Sequence, residues 1–366
     1  MSALLDAVEA RVTGIDGYQP GRPVGGKPID QPGKLSSNEN VYGPSPTAAA
    51  AVAALGAGKI ARYPDSARLR SRLAAQVGVP PESLVLTNGS DELCALVAQL
   101  ILERGDRVVV GAPCYRIDEI ASLAAGARIE PVPLLEGEHD LEAMAVAAQE
   151  ARLVWLPNPH NPTGTVVEPG ALVTFLQAVP SRTLVVLDEA YRDYVDEDRR
   201  PDAPALLRDH PNLLVQRTLS KAAGLAGLRI GYAIAHPRLI AVLDAVRAPF
   251  NVNQAALAAA EASLTEESYV RYTAALIRRE RSRLERELSS LGVSFFPSQA
   301  NFVTIGGGAK TEVLHAALAV DGIVVRDGSD LGFPGHVRIT VGAPAQMLLV
   351  RRALRQVFAD GAGGGE

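Results

Sequence analysis

Short apolar runs alternate with amphipathic segments over the first two thirds of the chain. Runs of three to five residues rich in Val, Leu and Ile are typical of strands buried on both faces of a sheet. These predicted strands are residues 107–110, 153–156, 183–187, 213–215 and 229–233. Helical periodicity lies between them, as in residues 91–103 and 168–178. The alternation predicts an α/β fold with a mostly parallel sheet flanked by helices.

The pattern changes after Pro249. Residues 251–291 have helical spacing, and the Arg/Glu-rich part at 277–288 predicts a long exposed helix. The further predicted elements are strands at 293–305, 323–326 and 337–341, and helices at 311–319 and 345–358. We therefore predict a large domain over residues 36–250 and a smaller α+β domain over residues 251–366.

The two ends of the chain carry weaker patterns. Residues 14–32 are rich in Gly and Pro and predict an irregular arm, within an N-terminal arm that we place at residues 1–35. The Gly-rich residues 361–366 predict a frayed tail.

Composition narrows the class of protein. The 366 residues suggest two domains, or one large domain with a cap. The 36 Lys and Arg against 41 Asp and Glu give a net charge of −5, which argues against nucleic acid or a membrane surface as partner. No signal sequence or membrane span is evident, and Cys94 and Cys114 provide neither a disulfide framework nor zinc-ligand spacing. We expect a cytoplasmic protein without a metal site, for which small anions remain possible ligands.

Polar residues follow several predicted strands, at the sheet edge where open parallel sheets bind ligands. Residues 88–92 follow the apolar run 84–86 and open a helix, whose free N–H groups can hold an anion. Taken alone, small polar residues at a helix start are more often simple caps.

Three other loops carry candidate chemistry. Residues 157–164 contain three prolines and a glycine, which would hold Asn161 rigidly. Asp188 ends a strand as a carboxylate that needs a partner if buried, and Lys221 follows the next strand, with Arg229 eight positions on. Each alone could be a turn, a helix cap or a solvated side chain. Together, a lysine able to form an imine, a carboxylate for a pyridinium nitrogen and several phosphate donors suit pyridoxal phosphate.

With these motifs in this order, the chain resembles the fold-type I pyridoxal-phosphate-dependent aminotransferases, and within them the histidinol-phosphate aminotransferase subfamily. The resemblance runs from about Tyr18 to Phe358. It implies a large domain with a mostly parallel seven-stranded sheet flanked by helices, and a smaller α+β domain.

The resemblance also assigns the residues around the cofactor ring. It implies that Lys221 forms the imine with pyridoxal phosphate and moves the proton at the substrate Cα. Asp188 then pairs with the ring nitrogen, which makes the ring an electron sink. Asn161 and Tyr191 donate to the ring oxygen, and Tyr115 stacks on the ring.

A second group of residues matches the family's phosphate site. The expected donors are the backbone N–H groups of Ser90 and Asp91, the hydroxyls of Thr218 and Ser220, and the Arg229 guanidinium. Tyr63 resembles the tyrosine that reaches the phosphate from the neighbouring subunit. The resemblance therefore implies a homodimer with shared active sites.

The substrate side has matches of its own. Arg338 resembles the arginine that binds an α-carboxylate or the phosphate of histidinol phosphate, and Arg326 is the second arginine. Tyr18 resembles the tyrosine that covers the site from the partner subunit. Asn38 lies in the matching segment at the entrance of the site, with Asn301 as its counterpart in the small domain.

Three departures from the family pattern leave the substrate open. Asp118 stands where a second aromatic residue is frequent, Ala222 and Ala223 follow the lysine in place of an aromatic residue, and His160 stands where Asn is common. The implied reaction moves an amino group between histidinol phosphate, or a similar amino donor, and 2-oxoglutarate. An aromatic or broad-range amino-acid aminotransferase is the nearest alternative, and a threonine-phosphate decarboxylase is a more distant one.

Two other classes fit less well. A cofactor-binding regulator without turnover would need an attached DNA-binding domain, and the first 35 residues are too short and too rich in Gly and Pro for one. A nucleotide-binding α/β protein is disfavoured because neither G-x-G-x-x-G after the first strand nor G-x-x-x-x-G-K-[ST] occurs.

Overall fold

The computed structural model describes residues 3–15, 17–18 and 33–358. The predicted tail at 361–366 lies outside these residues, and so does most of the predicted arm at 14–32. Within the described residues, no helix has the length and apolar content needed to span a membrane.

Seven strands form the larger sheet. They are β1 (Leu84–Thr87), β2 (Arg107–Ala112), β3 (Arg128–Pro133), β4 (Leu153–Pro157), β5 (Leu184–Asp188), β6 (Leu213–Thr218) and β7 (Gly231–Ala235). Their order is β1-β7-β6-β5-β4-β2-β3. β7 is antiparallel to both neighbours, and the other pairs are parallel. The predicted α/β fold with a mostly parallel seven-stranded sheet is confirmed.

Helices cover the sheet. The described helices are α1 (Ala3–Val12), α2 (Pro46–Ala53), α3 (Ala57–Ile60), α4 (Ala67–Val77), α5 (Gly89–Ile101), α6 (Arg116–Ala124), α7 (Leu141–Ala147), α8 (Pro169–Ala178), α9 (Ala203–Asp209), α10 (Pro237–Val246), α11 (Gln254–Ser263), α12 (Glu267–Ser290), α13 (Lys310–Val320) and α14 (Pro344–Phe358). Every residue of β4 and β5 is buried, with separate apolar clusters on the two faces of the sheet. This two-sided burial is why these strands have no alternating polar positions.

Three further strands form an antiparallel sheet near the carboxyl end. β8 (Phe302–Gly306), β9 (Arg326–Asp327) and β10 (His336–Thr340) lie in the order β8-β10-β9. The strand predicted at 293–305 was too long. The N–H groups of Ser298 and Gln299 donate to Glu285 and to the Gly164 carbonyl, so they are not available for a strand ladder.

The other C-terminal predictions differ mainly at their ends. α12 is twice the length of the predicted segment 277–288, because its buried face continues back to Thr273 and Ala274. The strand predicted at 323–326 pairs only at residues 326–327, while Val324 bridges to Lys34 instead.

The antiparallel direction of β7 determines which chain segments lie together at one edge of the larger sheet. Parallel strands β2, β4, β5 and β6 end there, and β1 ends there as well, because it is antiparallel to β7. β7 begins at this same edge, since Gly231 pairs with both Thr87 and Thr218. Residues that follow five strands and residues that precede β7 are therefore brought together.

Candidate active site

A cavity of 560 Å³ opens at this edge, between the larger sheet and the three-stranded sheet. Apart from Asn301, which bonds to Asn38 from behind, it collects all but one of the site residues predicted from the sequence. The lining includes Tyr18, Asn38, Ser90, Asp91, Tyr115, Asn161, Asp188, Tyr191, Thr218, Ser220, Lys221, Arg229, Arg326 and Arg338. The exception is Tyr63, which is 79% exposed and stacks on Phe250 with ring centroids 4.4 Å apart.

One end of the cavity is rich in hydrogen-bond donors. α5 begins here, and Gly89 has a φ of +74°, which favours glycine. A Cβ at Gly89 would lie 2.5 Å from Nη2 of Arg229, so only glycine lets this guanidinium cross the start of the helix. Arg229 Nη2 donates to Oδ2 of Asp91 at 3.0 Å. The helix start and the Arg229 guanidinium are groups that can bind an anion.

Two hydroxyls complete this end. Thr218 Oγ1 accepts from the Ser220 N–H at 3.1 Å and lies 3.0 Å from the Ser220 Oγ. Thr218 ends β6, Ser220 follows it, and both line the cavity, so the chain between them forms a tight polar turn beside Lys221. These hydroxyls are further donors for an oxyanion.

Asp188 lies at the centre of the cavity floor, at the end of β5. It is 7% exposed, and Oδ1 accepts from the Ala190 N–H at 2.9 Å. Burial raises the pKa of Asp188 to about 7, opposed by the Ala190 hydrogen bond and by Gln216. A buried carboxylate with so few donors is stabilised by a cation, and a protonated ring nitrogen is one.

Lys221 faces the same space. Its Nζ donates to the Ser37 carbonyl at 3.4 Å and lies 5.7 Å from the Tyr191 ring centroid. Burial, with Arg338 nearby, lowers the pKa of Lys221 to about 8. The amine therefore loses its proton more readily than an exposed lysine, which a nucleophile or a base requires.

Three side chains from distant parts of the chain hold the middle of the cavity. Asn38 Nδ2 donates to the Tyr191 hydroxyl at 2.9 Å, and Asn38 Oδ1 accepts from Thr340 Oγ1 at 3.0 Å. The Tyr191 hydroxyl keeps its own proton to donate, since burial raises its pKa. Asn301 supports this arrangement from β8's side by donating from Nδ2 to the Asn38 carbonyl at 3.0 Å.

Tyr115 lies on the opposite wall, just before α6. Its hydroxyl donates to Asp91 Oδ1 at 3.1 Å, and burial raises the pKa of this phenol well above its ordinary value. The hydrogen bond fixes the ring between the helix start of α5 and the cavity.

Two buried arginines lie at the other end of the cavity. Arg338 donates to Asn161 Oδ1 at 2.6 Å and to the Ser36 carbonyl at 3.0 Å, and it lies over the Phe302 ring. Burial lowers the pKa of Arg338, but an arginine keeps its charge in proteins. The Arg338 bond also orients Asn161 with its NH₂ group as the remaining donor.

Arg326 differs from Arg338 in its partner. It is 4% exposed, and its Nη2 lies 3.4 Å from Oδ2 of the half-exposed Asp330. Sequence reasoning missed Asp330, although a charged residue inside the Gly-rich segment 328–332 was a visible signal. It also missed the ion pair of Arg116 and Glu119, 2.6 Å apart, which lines the same cavity.

Tyr18 reaches the cavity from its own chain. The resemblance implies that this residue covers the site from a partner subunit, whereas here Tyr18 lines the cavity of the chain to which it belongs.

The departures from the family pattern lie behind the cavity. Asp118 is 1% exposed, and its Oδ1 lies 3.5 Å from the Cys94 sulfur. Burial, with Asp188 nearby, raises the pKa of Asp118 well above its ordinary value. His160 packs edge-on against His139 and bonds to Thr163, and burial lowers the pKa of both histidines. Burial therefore favours the neutral forms of both Asp118 and His160.

The donor set fits pyridoxal phosphate. The N–H groups of Ser90 and Asp91, with Thr218, Ser220 and Arg229, suit its phosphate. The buried carboxylate of Asp188 suits its ring nitrogen, and Lys221 provides the amine. The absence of a Cβ at Gly89 leaves the cradle open. Within residues 3–15, 17–18 and 33–358, no group of three or more His, Cys, Asp or Glu could hold a metal ion.

Fold and site together define a class of enzyme. The family model for aminotransferase class I and II matches residues 32–356. The chain belongs to this family.

Individual relatives within this family have more specific names than the family model. The chain is 40% identical to "Histidinol-phosphate aminotransferase 1" of Cupriavidus pinatubonensis, over 95% of both chains. It is also 40% identical to the histidinol-phosphate aminotransferase of Symbiobacterium thermophilum, over 98% of this chain and 100% of the relative. Among solved structures, the histidinol-phosphate aminotransferase of Sinorhizobium meliloti in complex with pyridoxal-5'-phosphate is similar, with a TM-score of 0.84, 29% identity and 98% of both chains covered.

The buried carboxyl of Asp118 generates a prediction about stability. Its pKa is raised on folding, so the unfolded chain releases this proton at lower pH than the folded chain does. The contribution of Asp118 to the free energy of unfolding is therefore largest at low pH. It decreases as pH rises above pH ~4, by up to about 1.4 kcal/mol per pH unit. Asp118→Asn keeps an acceptor for Cys94 and removes this loss. We expect the variant to gain stability over the wild type as pH increases.

The measurement is urea unfolding of the cofactor-free protein between pH 4 and 8. Asp209→Asn, at an exposed position at the end of α9, is the control and should follow the wild type. A constant difference between Asp118→Asn and wild type across this range would contradict a neutral Asp118.

Proposed function

We propose that this chain is a pyridoxal-phosphate-dependent aminotransferase that moves an amino group between histidinol phosphate and 2-oxoglutarate. One observation carries the proposal. A single cavity holds a lysine of lowered pKa, a buried carboxylate and two buried arginines. The names of the relatives, at 40% identity over nearly the whole chain, support histidinol phosphate as the donor.

The arginines suit both substrates. Histidinol phosphate has no α-carboxylate, so its phosphate is the anion available for Arg338 and Arg326. A dianion leaving water needs more than one partner, and these two guanidinium groups provide them. The two carboxylates of 2-oxoglutarate can use the same arginines.

The protein's residues divide the work of the reaction. Pyridoxal phosphate, when bound, supplies an aldehyde that condenses with amines and a ring that accepts electrons from the substrate Cα. Asp188 would hold the proton on the ring nitrogen. Asn161 and Tyr191 would donate to the ring oxygen, while Tyr115 covers the ring face. Lys221 Nζ, with its lowered pKa, would take the proton from the donor's Cα and return it at the cofactor side.

A homodimer with shared active sites is part of the proposal. Tyr63 lies outside its own chain's cavity and extends from the surface against the exposed Phe250 ring. That position suits a residue that completes the phosphate site of a second copy. A cytoplasmic location also belongs to the proposal, and the unpaired thiols of Cys94 and Cys114 agree with a reducing compartment.

The aromatic aminotransferase and the threonine-phosphate decarboxylase use related sites. The comparisons favour neither. Product analysis identifies the lyase, because only the lyase releases carbon dioxide, and the choice of amino donor separates the two aminotransferases. A panel of amino donors with 2-oxoglutarate is the direct assay.

The first prediction of this function concerns Lys221. Protein loaded with pyridoxal phosphate should be yellow, and borohydride should attach the cofactor to the peptide that contains Lys221. Peptide mass spectrometry locates the label. Lys221→Ala should give no label at this peptide, and attachment at another lysine in the wild type would contradict the proposed site.

The second prediction concerns Asp188. Asp188→Asn should retain the cofactor through its phosphate donors but lose about a hundredfold or more in kcat, since a neutral amide does not hold the ring proton. This corresponds to about 3–4 kcal/mol of transition-state stabilisation. Asp193→Asn, at an exposed position five residues on, should leave kcat unchanged. Near-normal turnover of Asp188→Asn would remove Asp188 from the mechanism.

The third prediction concerns Arg326 and substrate choice. Arg326→Ala should reduce kcat/KM for histidinol phosphate far more than for an unphosphorylated aromatic donor, by about 2–5 kcal/mol, because it breaks a buried charge pair on one side. Steady-state kinetics with both donors measures the difference. Equal losses would indicate a structural role for Arg326, and a wild type that prefers phenylalanine or tyrosine would support the aromatic alternative.

A further inference from the structure

The start of α5 has an unusual cap. Asn88 is the residue before the helix, where an asparagine side chain ordinarily accepts from the N–H groups of the first turn. Here the Asn88 side chain makes no such bond, and its Nδ2 donates instead to the Asn251 carbonyl at 2.9 Å. The first N–H groups of α5 are thereby left to an external acceptor, which is the condition for binding an anion.

The side chain of Asn251 holds the same helix start from a second direction. Its Nδ2 donates to Glu92 Oε2 at 2.7 Å and to the Leu86 carbonyl at 3.1 Å. Glu92 Oε2 also accepts from the Asn88 backbone N–H at 2.5 Å. A carboxylate one turn into α5 thus faces backward onto Asn88 and Asn251, where its charge is satisfied, rather than toward the cavity.

The turn that carries Asn251 is itself fixed. Arg247 donates from Nη1 to Asn251 Oδ1 at 2.9 Å and from Nε to Asp244 Oδ1 at 2.7 Å. The preceding residue, Phe250, has a φ of +56°, a conformation that costs free energy for any residue with a Cβ. Such a conformation persists only where surrounding contacts impose it, and the bonds of Asn251 and the stacking of Phe250 on Tyr63 do so here.

We propose that Asn251 and Glu92 are positioning residues for the phosphate group of the cofactor. They turn the Asn88 side chain away from the first turn of α5 and fix the direction of its free N–H groups. Neither residue lines the cavity, so both act through α5. This inference rests on the proposed function, because it takes the anion at α5 to be the phosphate of pyridoxal phosphate.

The experiment compares ligands with and without the phosphate. Cofactor-free wild type, Asn251→Ala and Glu92→Gln are titrated with pyridoxal phosphate, pyridoxal and inorganic phosphate. Absorbance follows the first two, and thermal stabilisation follows inorganic phosphate. We expect both variants to weaken pyridoxal phosphate and inorganic phosphate by about tenfold, while affinity for pyridoxal stays within about twofold of wild type.

Asn253→Ala is the matched control. Asn253 lies in the same turn, but its side chain caps α11 and bonds to the Leu228 carbonyl rather than to α5. Asn253→Ala should lower the melting temperature but leave the ratio of the affinities for pyridoxal phosphate and pyridoxal unchanged. Asn88→Ala should preserve tight binding, since no side chain then competes for the helix N–H groups.

The outcomes separate the two proposals. If both variants lose the same factor of affinity for pyridoxal phosphate and for pyridoxal, the two residues have a general structural role and the inference is overturned. Affinities equal to those of the wild type for all three ligands would overturn it as well. If wild-type protein does not bind pyridoxal phosphate at Lys221, the proposed function fails instead. If Asn251→Ala does not fold, Glu92→Gln decides the result, because it keeps the size of the side chain but removes the charge that the Asn88 N–H and the Asn251 amide face.

Discussion

Burying charge without a full set of partners is the constraint that shapes this cavity. Asp188 receives a backbone hydrogen bond from Ala190, and Arg338 has two neutral oxygen partners in Asn161 and Ser36. Each buried charge therefore retains a demand for an opposite charge from a bound molecule. The cavity is lined by the Asp188 carboxylate and has guanidinium groups at both ends, where Arg229 and Arg326 also face Asp91 and Asp330. A ligand with a protonated ring between two anionic groups matches that pattern.

Secondary structure supplies the frame for those charges. The reversal of β7 places Arg229 at the edge where the parallel strands end, across from the first turn of α5. Gly89 makes this approach possible because it has no Cβ. The donor-rich end of the cavity therefore combines the start of α5 with the Arg229 guanidinium and the hydroxyls of Thr218 and Ser220, whereas the opposite end depends on arginines of the smaller sheet.

The departures from the family pattern are accommodated in the protein interior. Asp118 faces Cys94 beneath the cavity, and His160 packs on His139 with its Nδ1 bonded to Thr163. Ala222 and Ala223 are both buried in apolar clusters, and the adjoining Gly224 approaches the backbone at Gly43 so closely that a Cβ would lie 2.5 Å from it. None of these changes removes a polar side chain from the lining of the cavity around Lys221.

Local patterns in the sequence determined the α/β class, most strand and helix positions, and the types of residue at the strand ends, because strand and helix periodicities are properties of neighbouring residues. Tertiary structure alone decided which polar atoms meet. Arg338 and Asn161 are bonded across 177 positions, and Asn88 reaches Asn251 rather than capping its own helix. The overlong strand prediction at 293–305 has the same origin, since Ser298 and Gln299 give their N–H groups to distant acceptors. A buried polar group must find a partner, and the chain's path through space, not its local composition, sets which partner is within reach.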